Sequence, residues 1–182
     1  MHSLIRREDV ELLAVANAQS AGLKRAVLIG EHTGSTHTGL SLVELADGHV
    51  DNHLHSFETT FYVLSGKPTL YLDDRGVRLE PGACGAIPVG MSHAWRADEQ
   101  ATWIEMASPR PRGPGRPPDT FFVGPAPEAE PLQLDLRDPR NRHLFLLRSS
   151  DMDLDRLKRG STVDAPTVSA SMATAASGII GR

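Results

Sequence analysis

"GHVDNHLHSFETTFYVLSG", residues 48–66, places two histidines one residue apart just ahead of a strand-like run. On an extended chain, successive side chains point to opposite faces. His53 and His55 therefore point the same way, and so does Asp51. Imidazoles at that spacing can reach one metal ion, provided a further ligand arrives from elsewhere in the chain. In the run that follows, Thr59, Phe61 and Val63 form one alternating set, and Gly66 closes the stretch. Glu58, the nearest carboxylate behind the histidines, lies outside that set.

A second stretch supplies the missing imidazole. "GACGAIPVGMSHAWRA", residues 82–97, carries Pro88 and Gly90 ahead of His93. Proline fixes φ and glycine permits positive φ, which suits a sharp turn. His93 begins the strand that leaves this turn, with Trp95 and Ala97 on the same face. In an antiparallel barrel such a strand presents its imidazole opposite His53 and His55.

The surrounding chain supports that architecture. From residue 26 to residue 108 it consists of short apolar or alternating runs, such as "RAVLIG", "TFYVLSG" and "ATWIEMASP", separated by Gly, Pro and Asp-rich turns. That texture predicts an all-β domain, an antiparallel barrel or sandwich. "LDDRGVRL" reads as a hairpin turning over Asp73 to Gly76. "EDVELLAVANA", residues 8–18, has a helical spread of apolar positions and predicts a short helix within an N-terminal extension, residues 1–25. "SPRPRGPGRPP", residues 108–118, removes ladder donors and ends the sheet, leaving residues 109–182 as a linker and C-terminal arm. Within the arm, "HLFLLRSS" can return as a strand and "DMDLDRLKRG" reads as a short helix. The Ala, Ser and Thr-rich end has little to bury.

Composition excludes several functions. The formal net charge is −4, with no block of basic residues and no interleaved aromatics, so nucleic acid is not an expected partner. No apolar run is long enough to span a membrane. The start, "MHSLIRREDVELL", is too charged for a signal peptide, and a cytoplasmic location is expected. The single cysteine, Cys84, cannot form an internal disulfide or a cysteine-based zinc site.

The two histidine stretches together resemble the paired motifs of the cupin superfamily. Gly48, His53, His55 and Gly66 match the first motif, although its first spacer is one residue short. Gly82, Pro88, Gly90 and His93 match the second. Two positions depart: Thr59 stands where cupins usually carry a metal-binding glutamate, and Ala97 stands where they carry asparagine. Glu58 is one position too early, and needs a bulge to reach the site. The resemblance implies a cupin β-barrel, a homodimer, and a metal held by His53, His55 and His93, with Glu58 as a candidate fourth ligand.

A histidine-only set suits iron, zinc, nickel or copper and leaves positions open. Iron is the favoured metal, with manganese, zinc or nickel as alternatives. The function expected is oxygenase-type chemistry on a small organic substrate. The rivals are a manganese or zinc hydrolase, lyase or isomerase, and a barrel that binds a small ligand without turning it over. The rival chemistry needs an acid or base, for which Glu58 and Glu105 are the candidates. Trp103, Glu105 and Ala107 share one strand face, opposite Ile104 and Met106. If the Trp103 face looks inward, Glu105 is a catalytic carboxylate near the ion. The plainer arrangement, with Ile104 and Met106 in the core, is narrowly favoured. Phe61, Trp95 and Trp103 are the candidate walls of the substrate pocket. His32 and His37 read as loop residues, His49 as a turn residue, and His143 has no assigned role.

Overall fold

The computed structural model describes residues 5–73, 75–113, 115–133 and 147–148. These residues form twelve strands: β1 Leu13–Ala14, β2 Ser20–Ile29, β3 Gly39–His55, β4 Glu58–Ser65, β5 Thr69–Leu72, β6 Arg75–Arg78, β7 Ala83–Ile87, β8 His93–Ala97, β9 Ala101–Ser108, β10 Thr120–Gly124, β11 Leu132–Gln133 and β12 Leu147–Arg148. They curl into one sheet whose main path runs β11-β6-β5-β8-β3-β9-β4-β7-β12, with β2 and β10 also pairing on β3. All pairings are antiparallel except that of β11 with β6. The all-β fold expected from the sequence is the fold observed.

β3 organises the barrel because it changes partners along its length. Its first half pairs with β9, from Gly39↔Ala107 to Leu45↔Ala101, and its second half with β8, from Gly48↔Ala97 to His53↔His93. The bend between the halves falls at Asp47, where φ is +44°. Gly48 follows, and a Cβ there would stand 2.0 Å from the Ala21 carbonyl oxygen, so only glycine lets β2 approach.

The interior is apolar at one end and polar at the other. On β9, Trp103 is fully buried, while Glu105 and Ala107 face a cavity. On β4, Val63 and Phe61 belong to the core and Thr59 faces the cavity. On β3, Leu45 and Val43 belong to the core and Ser41 lines the cavity. The registers Val43↔Trp103↔Val63 and Ser41↔Glu105↔Phe61 align these gradients in adjacent strands. The strands thus build an apolar plug under an open cup.

The structure corrects several local expectations. Residues 8–18 are not a helix: Arg7–Asp9 form one 3₁₀ turn, and Leu13–Ala14 pair with Arg25 and Lys24 of β2. The apolar spread of the segment serves strand pairing instead, and no α-helix occurs among the described residues. The sheet begins at Leu13 rather than residue 26. It also does not stop at the Pro-rich stretch, because β10 returns to pair with the end of β3. The hairpin turn is tighter than expected: Leu72 already pairs with Arg75, and Gly76 lies within β6 against the Tyr71 ring. His49 is a strand residue opposite Arg96, not a turn residue. Leu147–Arg148, in the segment expected to return as a strand, pair with Cys84 and Ala83. His143, the expected helix in "DMDLDRLKRG" and the Ala, Ser and Thr-rich end lie outside the described residues.

Candidate metal and substrate site

His53, His55 and His93 converge at the wall of the cup. Their ligand nitrogens all lie within 4.8 Å of one another, and the ring centroids are 4.1–5.0 Å apart. His53 and His93 face each other directly across the β3–β8 ladder. His55 joins them from two residues further along β3, where β10 covers it through the pair Thr120↔His55.

Each ring is fixed through its Nδ1. The His53 Nδ1 donates to the Asp51 carbonyl at 2.7 Å, and the His93 Nδ1 donates to the Met91 carbonyl at 3.0 Å. A carbonyl only accepts, so both rings carry their proton on Nδ1 and expose an Nε2 lone pair. The His55 Nδ1 pairs with the Thr120 hydroxyl at 2.9 Å, which leaves its Nε2 free as well. Outer hydrogen bonds that orient imidazoles in this manner are a regular property of metal-binding histidines. The residues present therefore fit a divalent transition metal.

Electrostatics agree with neutral rings. Burial, reinforced by the charge of His53, pushes His55 and His93 down to about 3, and Arg25 adds to the effect at His55. Burial also lowers His53, partly opposed by its carbonyl bond and by the charge of Glu105. A metal meets little competition from protons at such a site. Between pH 6.5 and about 3 the unfolded chain holds protons on these rings that the folded chain refuses. The metal-free protein should therefore lose stability as the pH falls through that window, with full stability above it. Melting temperatures of chelator-treated protein from pH 7.5 to 5 should decline, and less steeply in a His55→Gln/His93→Gln variant.

Beside the histidines the cup encloses about 660 Å³. Its walls include Leu23, Val27, Ile29, Phe57 and Phe122, and its polar groups include Arg25, Ser41, Thr59 and Glu105. Phe57 stacks on His55 with centroids 4.3 Å apart, and Phe122 lies 5.4 Å from His53.

Glu105 faces this cavity, so the narrowly favoured outward orientation is overturned. Trp103 lies inside, Ile104 is only half-buried and Met106 is 44% exposed. The Glu105 carboxylate accepts from Arg25 Nη2 at 2.5 Å and from Trp103 Nε1 at 2.9 Å. Each oxygen keeps a lone pair for another partner. Arg25 was missed in the sequence. Its signal was a lone cation in the alternating stripe Leu23, Arg25, Val27, Ile29, all of which line the cavity. Thr120 was missed because the sheet was expected to end before it.

Glu58 is exposed at the start of β4 and lies outside the histidine cluster. No bulge re-aims it, and the adjacent Thr59 takes the inward position. The Thr59 hydroxyl is buried there without a hydrogen-bond partner among the described residues. Asp51 is also outside the cluster, because β3 shifts register between Val50 and His53. Its carboxylate instead accepts from the Ala126 backbone N–H at 2.9 Å. Phe61, Trp95 and Trp103, expected as pocket walls, are plug residues 4%, 2% and 0% exposed, and none lines the cavity. Trp103 reaches the site through its bond to Glu105.

A curled antiparallel barrel with three histidines at the wall of its cup is the architecture of a cupin. The Cupin domain model matches residues 41–106, and the fold of the described residues is that of a cupin barrel. Among solved structures, the polyketide cyclase RemF from Streptomyces resistomycificus is similar at 25% identity and a TM-score of 0.59, covering 68% of this chain and 88% of that one. A cupin-like protein from Thermotoga maritima is similar at 19% identity and a TM-score of 0.55, covering 66% and 97%. A cupin-2 domain protein from Rhodospirillum rubrum follows at 22% identity and a TM-score of 0.54, covering 68% and 81%. The latter two likenesses bear on the fold alone. No curated protein sequence matches. No helix among the described residues is long and apolar enough to cross a membrane.

Proposed function

We propose that this cupin is a metal-dependent enzyme that moves protons on a small organic carbonyl compound, in a cyclisation, isomerisation or lyase reaction. The observation that carries the reading is the Glu105 carboxylate facing the same cavity as three convergent imidazoles. His53, His55 and His93 hold the ion, and iron, manganese, zinc and nickel all suit such a set. A divalent ion held there would supply a Lewis acid for a substrate oxygen. Glu105 accepts a proton from the carbon next to the carbonyl, and the electron pair left behind moves onto the carbonyl oxygen. Arg25 holds Glu105 in position and balances its charge. The Thr59 hydroxyl, buried and unpartnered, donates to a substrate oxygen. Phe57, 6% exposed, gives the reacting carbon an apolar wall. The likeness to a polyketide cyclase supports this class of chemistry.

Oxygenase chemistry is the second reading. It is favoured by Thr59, which leaves an all-imidazole ligand set. The two readings separate on metal-loaded protein offered 1,3-dicarbonyl compounds in D₂O. Proton transfer gives deuterium exchange at the central carbon without oxygen uptake. Glu105→Gln should slow that exchange by about 10²-fold or more while metal content stays unchanged. Oxygen uptake in step with turnover, indifferent to Glu105→Gln, would establish the oxygenase reading instead.

A further inference from the structure

The Pro and Arg-rich stretch after β9 has no part in the reaction described so far, yet it forms one rim of the cup. Arg110 and Arg112 line both the main cavity and an adjoining recess of about 330 Å³, to which Arg116, Glu31 and Thr36 also contribute. Three guanidinium groups thus face one carboxylate, in a chain whose formal net charge is −4.

The rim is a built loop. The Arg110 backbone N–H donates to the His37 carbonyl at 2.8 Å, and the Arg112 backbone N–H donates to the Asp119 carboxylate at 2.6 Å. Gly39 lies so close beneath Pro111 that a Cβ would stand 2.9 Å from its ring. Arg110 Nη1 donates to Glu31 at 3.3 Å, which uses the one carboxylate in the recess. Much donor capacity is left over. The Arg110 Nε is buried with no hydrogen-bond partner among the described residues. Among the described residues the only side-chain bond of Arg112 is a long one, 3.5 Å, to the Pro117 carbonyl. The Arg116 guanidinium has no hydrogen bond or ion pair among the described residues. Guanidinium forks match the paired oxygens of carboxylates and phosphates.

We propose that Arg110, Arg112 and Arg116 anchor an anionic group of the substrate, a carboxylate or a phosphate, at the rim of the cup. The inference rests on the reading of the cup as a substrate pocket. It gives the substrate two ends, an anionic head at the rim and a reactive oxygen near His53 and His55, with Val27 and Ile29 among the apolar groups lining the same cavity.

The test is calorimetric titration of the full-length, metal-free chain with phenylacetate, phenyl phosphate and neutral phenylacetamide. At least one anion should bind about tenfold more tightly than the amide, with the preference weakening in high salt. The tighter anion identifies the head group. An Arg112→Gln/Arg116→Gln variant should lose the preference; both residues are exposed, and circular dichroism verifies its fold. Equal binding of amide and anions, a preference that survives in the variant, or no anion binding up to about 10 mM would each overturn the proposal. Because no metal is present, the result stands or falls separately from metal binding and turnover.

Discussion

Trp103→Ala is expected to cost about 3–5 kcal/mol of unfolding free energy, the range for emptying a large aromatic site in a core. Trp103 is fully buried and stacks on Trp95 with centroids 4.7 Å apart and planes 20° from parallel. Trp95 in turn meets Phe61 edge-on at 5.2 Å. Val43 and Val63 flank Trp103 on the neighbouring strands, and both are fully buried. Strands on both sides hold these neighbours, so the hole cannot collapse freely. The loss also reaches the site, since Trp103 Nε1 is one of the donors that orient Glu105. Trp103→Phe keeps a ring in the plug and drops only that donor. It should cost less stability than the alanine change while still impairing proton transfer. Urea denaturation of the three proteins measures the first effect. A cost below about 1 kcal/mol for Trp103→Ala would mean that the plug is not packed as described.

The second large effect is on metal affinity. His93→Ala removes a ring that is 1% exposed, together with one of three convergent ligand nitrogens. The loss should exceed the 10–100-fold that follows from removing only a supporting hydrogen bond. Thr120→Val provides that comparison, because it deletes the partner of His55 Nδ1 and leaves all three rings in place. Competition titrations with a chromophoric chelator should rank wild type above Thr120→Val, and Thr120→Val above His93→Ala. Equal affinity of His93→Ala and wild type would place the metal elsewhere.

The histidine set was legible because its spacing records geometry. A pair two residues apart on a strand shares a face, and Pro88 with Gly90, whose φ is +75°, marks the turn that brings His93 across from His53. Alternation had limits where strands were irregular. Asp51 and His53 should share a face, but the register shift between them separates their roles. β4 is regular where Glu58 lies, so alternation correctly warned that Glu58 would face away. For β9, alternation grouped Trp103 with Glu105 but could not say which face was inside, because an apolar set, Ile104 and Met106, also lies opposite. What alternation could not carry was depth. Phe61, Trp95 and Trp103 share the inner face with the site residues, yet they lie in the plug, a position set by three-strand register rather than by any local pattern. β10 was hidden for a similar reason: proline does end β9, but the free edge of β3 near His55 recruits the chain again beyond it.

On the proposed reading His53, His55 and His93 together hold a metal ion. Elemental analysis of protein purified without an affinity tag, beside a His53→Ala/His93→Ala variant, tests it most directly. About one equivalent of iron, manganese, zinc or nickel per chain, absent from the variant, is the expected result. Metal-free protein that stays metal-free after reconstitution, or a variant that keeps its metal, would contradict it.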